Sequence, residues 1–303
     1  MPPIRSCVLR SFACLALGTL VVAAAPRIGA HRVSVKTESD YRIIDSNGLP
    51  DHEPGEFPRR GNPNTIRAQD YHFRVPVHPV VKKPPTPAHF AFFAVAVNGV
   101  PFEPGTGEFW EGDRDWNYEA KSGAIDLGLD EHNAHVQPTG AYHYHGLPTG
   151  LIENLGGDEK KMCLVGYAAD GFPLYTSRGH REAMDAQSPL REMRSSFRLK
   201  PGARDGGPGG KYDGTFTADY EYAAGSGDLD ECNGRFGVTP EYPEGVYHYY
   251  ITEEFPWLSR QWRGEPDPSF DKGRGQPGPP FPGFGPPPRG GGRRPPPPPR
   301  FIQ

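Results

Sequence analysis

Short apolar runs separated by glycine and proline turns dominate the pattern of apolar and polar positions. Residues 90–97 form a near-continuous apolar run, which is typical of a strand that is buried on both faces. Residues 163–169 form a second run of this kind, and short helices are expected only at 65–69 and 181–187. Frequent turns between short strands are typical of sandwiches and barrels. The pattern therefore predicts a mainly β fold, sandwich or barrel-like, with few short helices.

Three short motifs occur twice along the chain, each time in the same order. This internal repetition predicts a single domain of two similar β-rich halves, about 90–147 and 163–252, packed about an approximate twofold axis. The matched segments are Asn-Gly-Val-Pro at 98–101 and Asp-Gly-Phe-Pro at 170–173, Leu-Asp-Glu-His-Asn at 129–133 and Leu-Asp-Glu-Cys-Asn at 229–233, and two tyrosine- and histidine-rich segments at 138–145 and 243–250.

The two ends of the chain differ from the β region, which is expected to span residues 41–263. Residues 1–25 carry arginines, then an apolar stretch and small residues, which is the pattern of a secretory signal peptide. We therefore expect a secreted or periplasmic protein with no membrane span after cleavage; the alternative is an uncleaved anchoring helix. Residues 26–40 are expected to be a linker. Residues 264–303 are rich in proline and glycine and predict a disordered tail.

Charge and motif content exclude several classes of function. The 33 Lys+Arg and 37 Asp+Glu residues give a formal net charge of −4, which argues against a nucleic-acid-binding protein. The sequence has no serine nucleophile elbow, no phosphate-binding loop and no dinucleotide-binding glycine motif after a strand. Arginines in the tail offer a contact with an acidic envelope polymer or another protein, although a solvated tail is the simpler interpretation.

Cleavage of the signal peptide leaves Cys163 and Cys232 as the cysteines of the mature chain. In an exported protein, two cysteines predict a single disulfide bond. Two unpaired buried thiols are the alternative.

The histidines carry the main candidate chemistry. On a strand, His143 and His145 point to one face and the tyrosines between and beside them to the other, with the two imidazoles about 7 Å apart. His135 lies shortly before this strand, and the second half has His248 at the position that matches His143. If the halves face each other across the twofold axis, His143 and His248 converge on it. The predicted metal ligands are His135, His143, His145 and His248, with His52 or Asp170 as substitutes and with Asp130 and Asp230 as partners that orient the ligating rings.

Imidazole ligands favour zinc, copper, nickel or iron over calcium or magnesium, and we expect zinc or copper. Three alternatives remain open on the sequence alone. The histidines can form a structural polar core, hydrogen-bonded to Asp130 and Asp230 across the interface of the two halves, while the Leu-Asp-Glu-x-Asn segments stabilise turns through their side chains. They can serve a metal-dependent hydrolase or oxidase of the cell envelope. Alternatively, the protein is a non-catalytic envelope or surface-binding module.

The longer motif segments resemble the YHYH-domain family. The resemblance is carried by residues 133–145, which end in Tyr-His-Tyr-His, and continues through residues 166–175, 229–237 and 247–252. Similar segments also lie upstream, at 46–52 and 61–64. The resemblance covers most of residues 41–263 and implies an exported protein, but it implies no particular reaction or cofactor.

Overall fold

Short strands make up most of the regular structure. The computed structural model describes residues 29–89, 91–158 and 160–272. In these ranges it contains one α-helix, α1 (Thr149–Asn154), and 3-10 turns at Trp110–Gly112, Thr217–Asp219 and Pro268–Phe270. The strands are β1 (Val33–Glu38), β2 (Tyr41–Ser46), β3 (Tyr71–Pro76), β4 (Thr86–Pro87), β5 (Ala94–Ala96), β6 (Pro101–Phe102), β7 (Ala134–Val136), β8 (Tyr142–Tyr144), β9 (Leu164–Ala168), β10 (Pro173–Tyr175), β11 (Arg178–His180), β12 (Leu190–Glu192), β13 (Phe197–Leu199), β14 (Tyr220–Tyr222), β15 (Gly234–Gly237), β16 (Val246–Tyr250) and β17 (Gln261–Trp262).

A central sheet of eight strands organises the molecule, in the order β15-β16-β10-β9-β5-β6-β8-β7. The described residues also form a three-stranded sheet, β1-β2-β3, and the pairs β11-β12, β13-β14 and β17-β4. The sheets are separate and none closes into a barrel. The mainly β fold predicted from the sequence is confirmed.

The central sheet shows the two similar halves directly. In the first half, β5 and β6 form an antiparallel hairpin, β6 runs parallel to β8, and β8 pairs antiparallel with β7. In the second half, β9 and β10 form the hairpin, β10 runs parallel to β16, and β16 pairs antiparallel with β15. The halves join through the antiparallel pair of β5 and β9, so each half presents its first strand to the other.

The repeated Asn/Asp-Gly-x-Pro segments form the turns of the two hairpins. Gly99 and Gly171 have φ of 80° and 95°, a backbone conformation that glycine adopts without steric cost. The side-chain oxygens of Asn98 and Asp170 accept hydrogen bonds from the backbone N–H groups two residues later, at 3.2 Å and 3.3 Å. The same turn chemistry therefore fixes the start of each half.

Near both ends of the described residues, the structure departs from the domain boundaries predicted from the sequence. Val33–Glu38 is strand β1, whereas a linker was expected over 26–40, because it pairs along its full length with β2. The tail was expected to begin at residue 264, but residues 264–272 pack on the core: Phe270 is 1% exposed and its ring lies 4.7 Å from that of Phe73. The signal peptide predicted for residues 1–25 and the tail beyond residue 272 lie outside the described residues.

Helices do not form where the sequence suggested them. Residues 65–69 are irregular and 181–187 form turns, while the helix of the described chain is α1. Stretches of this length lack the cooperativity that sustains a helix without tertiary support. Among the described residues, no helix has the length and apolar character needed to cross a bilayer.

The predicted disulfide bond is not formed, because Cys163 and Cys232 are both free thiols. Cys163 directly precedes β9 and Cys232 lies just before β15, and β10 and β16 separate these strands in the sheet. Three strand spacings of about 4.8 Å exceed the Cα separation of about 7 Å that a disulfide can bridge. The alternative of two unpaired thiols therefore describes the structure.

Candidate metal centre

Strands β7 and β8 bring three imidazoles together. His135 and His143 are directly opposite each other in the antiparallel pair of β7 and β8. His145 follows β8 two residues after His143, so its ring lies on the same face. The ring centroids are 4.6 Å apart for His135 and His143, and 4.8 Å apart for each of the other two pairs.

The Nε2 atoms of the three rings point at one another. The Nε2 atom of His145 lies 3.1 Å from that of His135 and 3.1 Å from that of His143. Nδ1 of His135 donates to the carbonyl oxygen of Leu127 at 2.9 Å, and Nδ1 of His143 donates to that of Ala141 at 3.2 Å. Because a carbonyl can only accept, these bonds place the proton of each neutral ring on Nδ1 and leave a lone pair on Nε2.

Burial disfavours the charged form of all three imidazoles. His143 and His145 are 1% and 3% exposed, and desolvation holds the pKa of both imidazoles well below the usual value, while the pKa of His135 is lowered for the same reason. A proton on Nε2 of His145 can bond only one of its two neighbours. Nδ1 of His145 is buried without a hydrogen-bond partner. Hydrogen bonds within the cluster therefore cannot satisfy all its nitrogen atoms at once.

A carboxylate that was not among the predicted ligands lies beside the cluster. Glu103 directly follows β6, and its Oε2 atom is 3.6 Å from Nε2 of His143. Oε2 also accepts a hydrogen bond from Nε2 of Gln137 at 2.7 Å, and Oε1 is paired with the ammonium group of Lys272. In the sequence, Glu103 could have been noticed by its position just after the first hairpin turn. The parallel pairing of β6 with β8, which brings Glu103 to the histidines, was not evident from the sequence.

His248 lies far from the three other predicted ligands, so the predicted convergence of His143 and His248 is wrong. The halves meet through β5 and β9, which places β8 and β16 five strand positions apart, about 24 Å along the sheet. Nδ1 of His248 donates to the carbonyl of Val246, and Nε2 accepts from the hydroxyl of Tyr250 at 2.7 Å. Burial lowers the pKa of His248 to about 4.

The repeated aspartates bond tyrosines and turns rather than histidines, which corrects their predicted role as partners of the ligating rings. Asp130 accepts from the hydroxyl of Tyr142 at 2.7 Å, and Asp230 accepts from that of Tyr247 at 3.0 Å. Each also accepts from backbone N–H groups two and four residues later, as the structural alternative for these segments predicted. The backbone carbonyls of Leu127 and Ala141 hold the rings instead.

The two substitute ligands also lie elsewhere. His52 bonds the hydroxyl of Tyr144 at 2.8 Å, on the tyrosine face of β8. Asp170 accepts from the hydroxyl of Tyr249 and from the backbone N–H of Gly264, and burial raises its pKa to about 6. The structure therefore groups His135, His143 and His145 as side chains that can hold a metal ion, with ligand atoms all within 4.8 Å of one another.

Comparison with known proteins gives one match. No significant match was found among curated proteins or among solved structures. The model of the family described as YHYH protein matches residues 72–264, which include β8, the three-histidine cluster and both halves of the central sheet. The chain belongs to the YHYH protein family.

Proposed function

We propose that this protein binds one transition-metal ion through the Nε2 atoms of His135, His143 and His145. The observation that carries the proposal is the convergence of these three nitrogen atoms, with the lone pairs of His135 and His143 directed inward by hydrogen bonds from Nδ1 to backbone carbonyls. Metal-ligating histidines commonly use their other ring nitrogen in this way, which fixes the tautomer and the orientation of the ring.

The dimensions of the cluster suit a small divalent cation. Metal–nitrogen distances of about 2.0–2.1 Å in a tetrahedral site place neighbouring ligand atoms about 3.3 Å apart. The two Nε2–Nε2 distances of 3.1 Å are close to this spacing. Neutral imidazoles are ligands for zinc and copper, and we propose one of these two ions.

The test is the metal content of protein that is purified without a histidine tag. We expect one zinc or copper ion per chain by mass spectrometry, or uptake of one ion after dialysis against either metal. His143→Ala and His145→Ala should each bind less than a tenth of this amount. His248→Ala is the matched control, because it removes a buried histidine from the equivalent strand position and should keep one ion. Circular dichroism establishes that each variant is folded.

Two results would contradict the proposal. One is a wild-type protein that takes up neither ion. The other is equal loss of metal in His143→Ala and His248→Ala, which would show that metal content follows general folding rather than the three-histidine cluster.

We further propose that the protein is exported, because residues 1–25 have the pattern of a secretory signal peptide. Expression of the full chain in a bacterium with an active secretion pathway should give a mature protein that begins near residue 26. N-terminal sequencing of the periplasmic or secreted fraction measures this. A cytoplasmic protein that keeps its N-terminus would contradict export and would leave the metal proposal untouched.

A further inference from the structure

Glu103 lies at the distance from the three-histidine cluster that a fourth ligand requires. Its Oε2 atom is 3.6 Å from Nε2 of His143, close to the separation of about 3.3 Å between neighbouring ligand atoms in a tetrahedral site. The side chain is fixed from two sides, by the amide of Gln137 at Oε2 and by the ammonium of Lys272 at Oε1. The carboxylate is therefore held beside the cluster before any ion arrives.

Charge balance in the buried site favours Glu103 as a ligand of the ion. Three neutral imidazoles leave the full charge of a divalent cation in a buried site, which is unfavourable in a medium of low dielectric constant. A carboxylate ligand lowers that net charge by one unit. Glu103 is itself buried and makes direct contact with His143, so its negative charge also gains a partner when the ion binds.

Lys272 supplies the counter-charge of Glu103 in the structure described. It lies in the segment 264–272, almost all of which is beyond the region of the family match, and its ammonium also lies 5.2 Å from the ring centroid of Phe92. A divalent ion bound to Glu103 and the ammonium group would repel each other. Lys272 is partly exposed, with a quarter of its side chain in solvent, so the ammonium can move into water at little cost.

We propose that Glu103 is the fourth ligand of the metal ion, through Oε2, and that the ion competes with Lys272 for this carboxylate. This inference rests on the proposed binding of the ion by the three histidines. It gives segment 264–272 a direct influence on metal affinity.

The experiment compares the cobalt complexes and zinc affinities of wild-type protein, Glu103→Gln and the matched control Glu108→Gln. Glu108 is exposed and acts on His135 only through its charge, so its variant removes the same charge without removing a ligand. Glu103→Gln should still bind one ion but at least about tenfold more weakly, the lower end of the loss reported for groups around a metal site, and its visible cobalt spectrum should change. Glu108→Gln should change neither property appreciably.

A second variant, Lys272→Met, tests the competition. Loss of the ammonium should tighten zinc binding several-fold, up to about tenfold, because a like charge near the ion is removed. An unchanged cobalt spectrum in Glu103→Gln overturns the ligand assignment, and weaker or equal zinc binding in Lys272→Met overturns the competition. Either result can occur while wild-type protein binds one ion, so the failure of this inference is distinct from the failure of metal binding itself.

Discussion

The two halves of the central sheet carry the same scaffold but different chemistry at equivalent positions. Both have a histidine at the same point of the tyrosine-histidine strand, His143 in the first half and His248 in the second. The three positions around that histidine differ: His135, His145 and Glu103 in the first half correspond to Arg235, Tyr250 and Tyr175 in the second.

The second half satisfies both ring nitrogens of His248 with its own groups, a backbone carbonyl and a tyrosine hydroxyl. The hydroxyl of Tyr250 donates to Nε2 of His248 at 2.7 Å, and Nε of Arg235 donates to the oxygen of Tyr250 at 3.3 Å. The hydroxyl of Tyr175 donates to Glu241 at 2.6 Å. A guanidinium group thus provides the positive charge that the first half lacks within its histidine cluster. The repeat preserves turns and strand pairing, while the residues around the equivalent histidine decide whether a half has three imidazoles that can hold a metal ion.

The largest effect is expected when the first half receives the residues of the second. His135→Arg combined with His145→Tyr should abolish binding of zinc and copper, because one imidazole remains and a guanidinium occupies the site. We expect the metal-free variant to stay folded, since the second half shows that this combination packs on the same scaffold. Metal analysis measures the bound ion, and thermal melting shows whether the variant is folded. Retention of one ion would mean that the site lies elsewhere.

The reverse exchange tests whether the second half can gain a metal site. Arg235→His with Tyr250→His recreates three histidines around position 248, and we expect a second ion to bind, raising the stoichiometry from one to two per chain. Tyr250→His alone keeps the arginine and should stay at one. Titration with zinc against a colorimetric chelator gives the number of sites. A double variant that is folded and binds only one ion would show that three imidazoles at this position are insufficient.

The pH dependence of stability reports on the buried histidines of both halves together. Burial lowers the pKa of His143, His145 and His248 in the folded protein, whereas in the unfolded chain they titrate near 6.5. Below pH 6.5 the unfolded state therefore binds more protons, so the free energy of unfolding should fall as pH falls. The loss approaches about 1.4 kcal/mol per pH unit for each such histidine.

Urea denaturation of the metal-free protein between pH 6.5 and 5.5 measures this slope. His248→Gln should reduce the slope by up to about 1.4 kcal/mol per pH unit, the contribution of one histidine. His89→Gln, which removes an exposed histidine, is the matched control. A slope that is the same in His248→Gln and in wild-type protein would contradict the titration assigned to the second half.

Local parts of the site were predictable from the sequence because they depend on the strand period and on turn chemistry. Alternation along the strand predicts that His143 and His145 lie opposite the tyrosines, and His135 was a candidate ligand because it lies shortly before this strand in the chain. These expectations needed only neighbouring residues. The repeated turns likewise predicted the mainly β class and the two similar halves.

The errors concern contacts between segments that are distant in the chain. The motifs suggested a twofold axis, but they did not specify which strands meet there; β5 and β9 do, and His248 therefore lies at the far side of the sheet. Glu103 reaches the histidines through a parallel strand pair, and Lys272 reaches Glu103 from a segment assigned to the tail. Strand order and parallel pairing depend on the packing of the whole domain, so a local pattern does not contain them.

The smallest expected difference lies on the tyrosine face, where the two halves are most alike. Tyr142→Phe removes a donor to Asp130, and Tyr247→Phe removes the corresponding donor to Asp230. Asp230 keeps an ion pair with Arg263 at 2.6 Å, whereas Asp130 keeps only backbone N–H donors among the bonds described. Hydrogen bonds to charged groups contribute about 1.5–3 kcal/mol.

We therefore expect Tyr142→Phe to lower the free energy of unfolding by about 2 kcal/mol and Tyr247→Phe by about 1 kcal/mol. Both variants should keep one metal ion, because the hydroxyls lie on the face opposite the imidazoles. Urea denaturation and metal analysis of the same samples measure the two effects. Equal costs would mean that Arg263 does not compensate for the lost hydroxyl. A loss of metal in Tyr142→Phe would mean that the two faces of β8 are coupled, contrary to the separation of scaffold and chemistry inferred from the two halves.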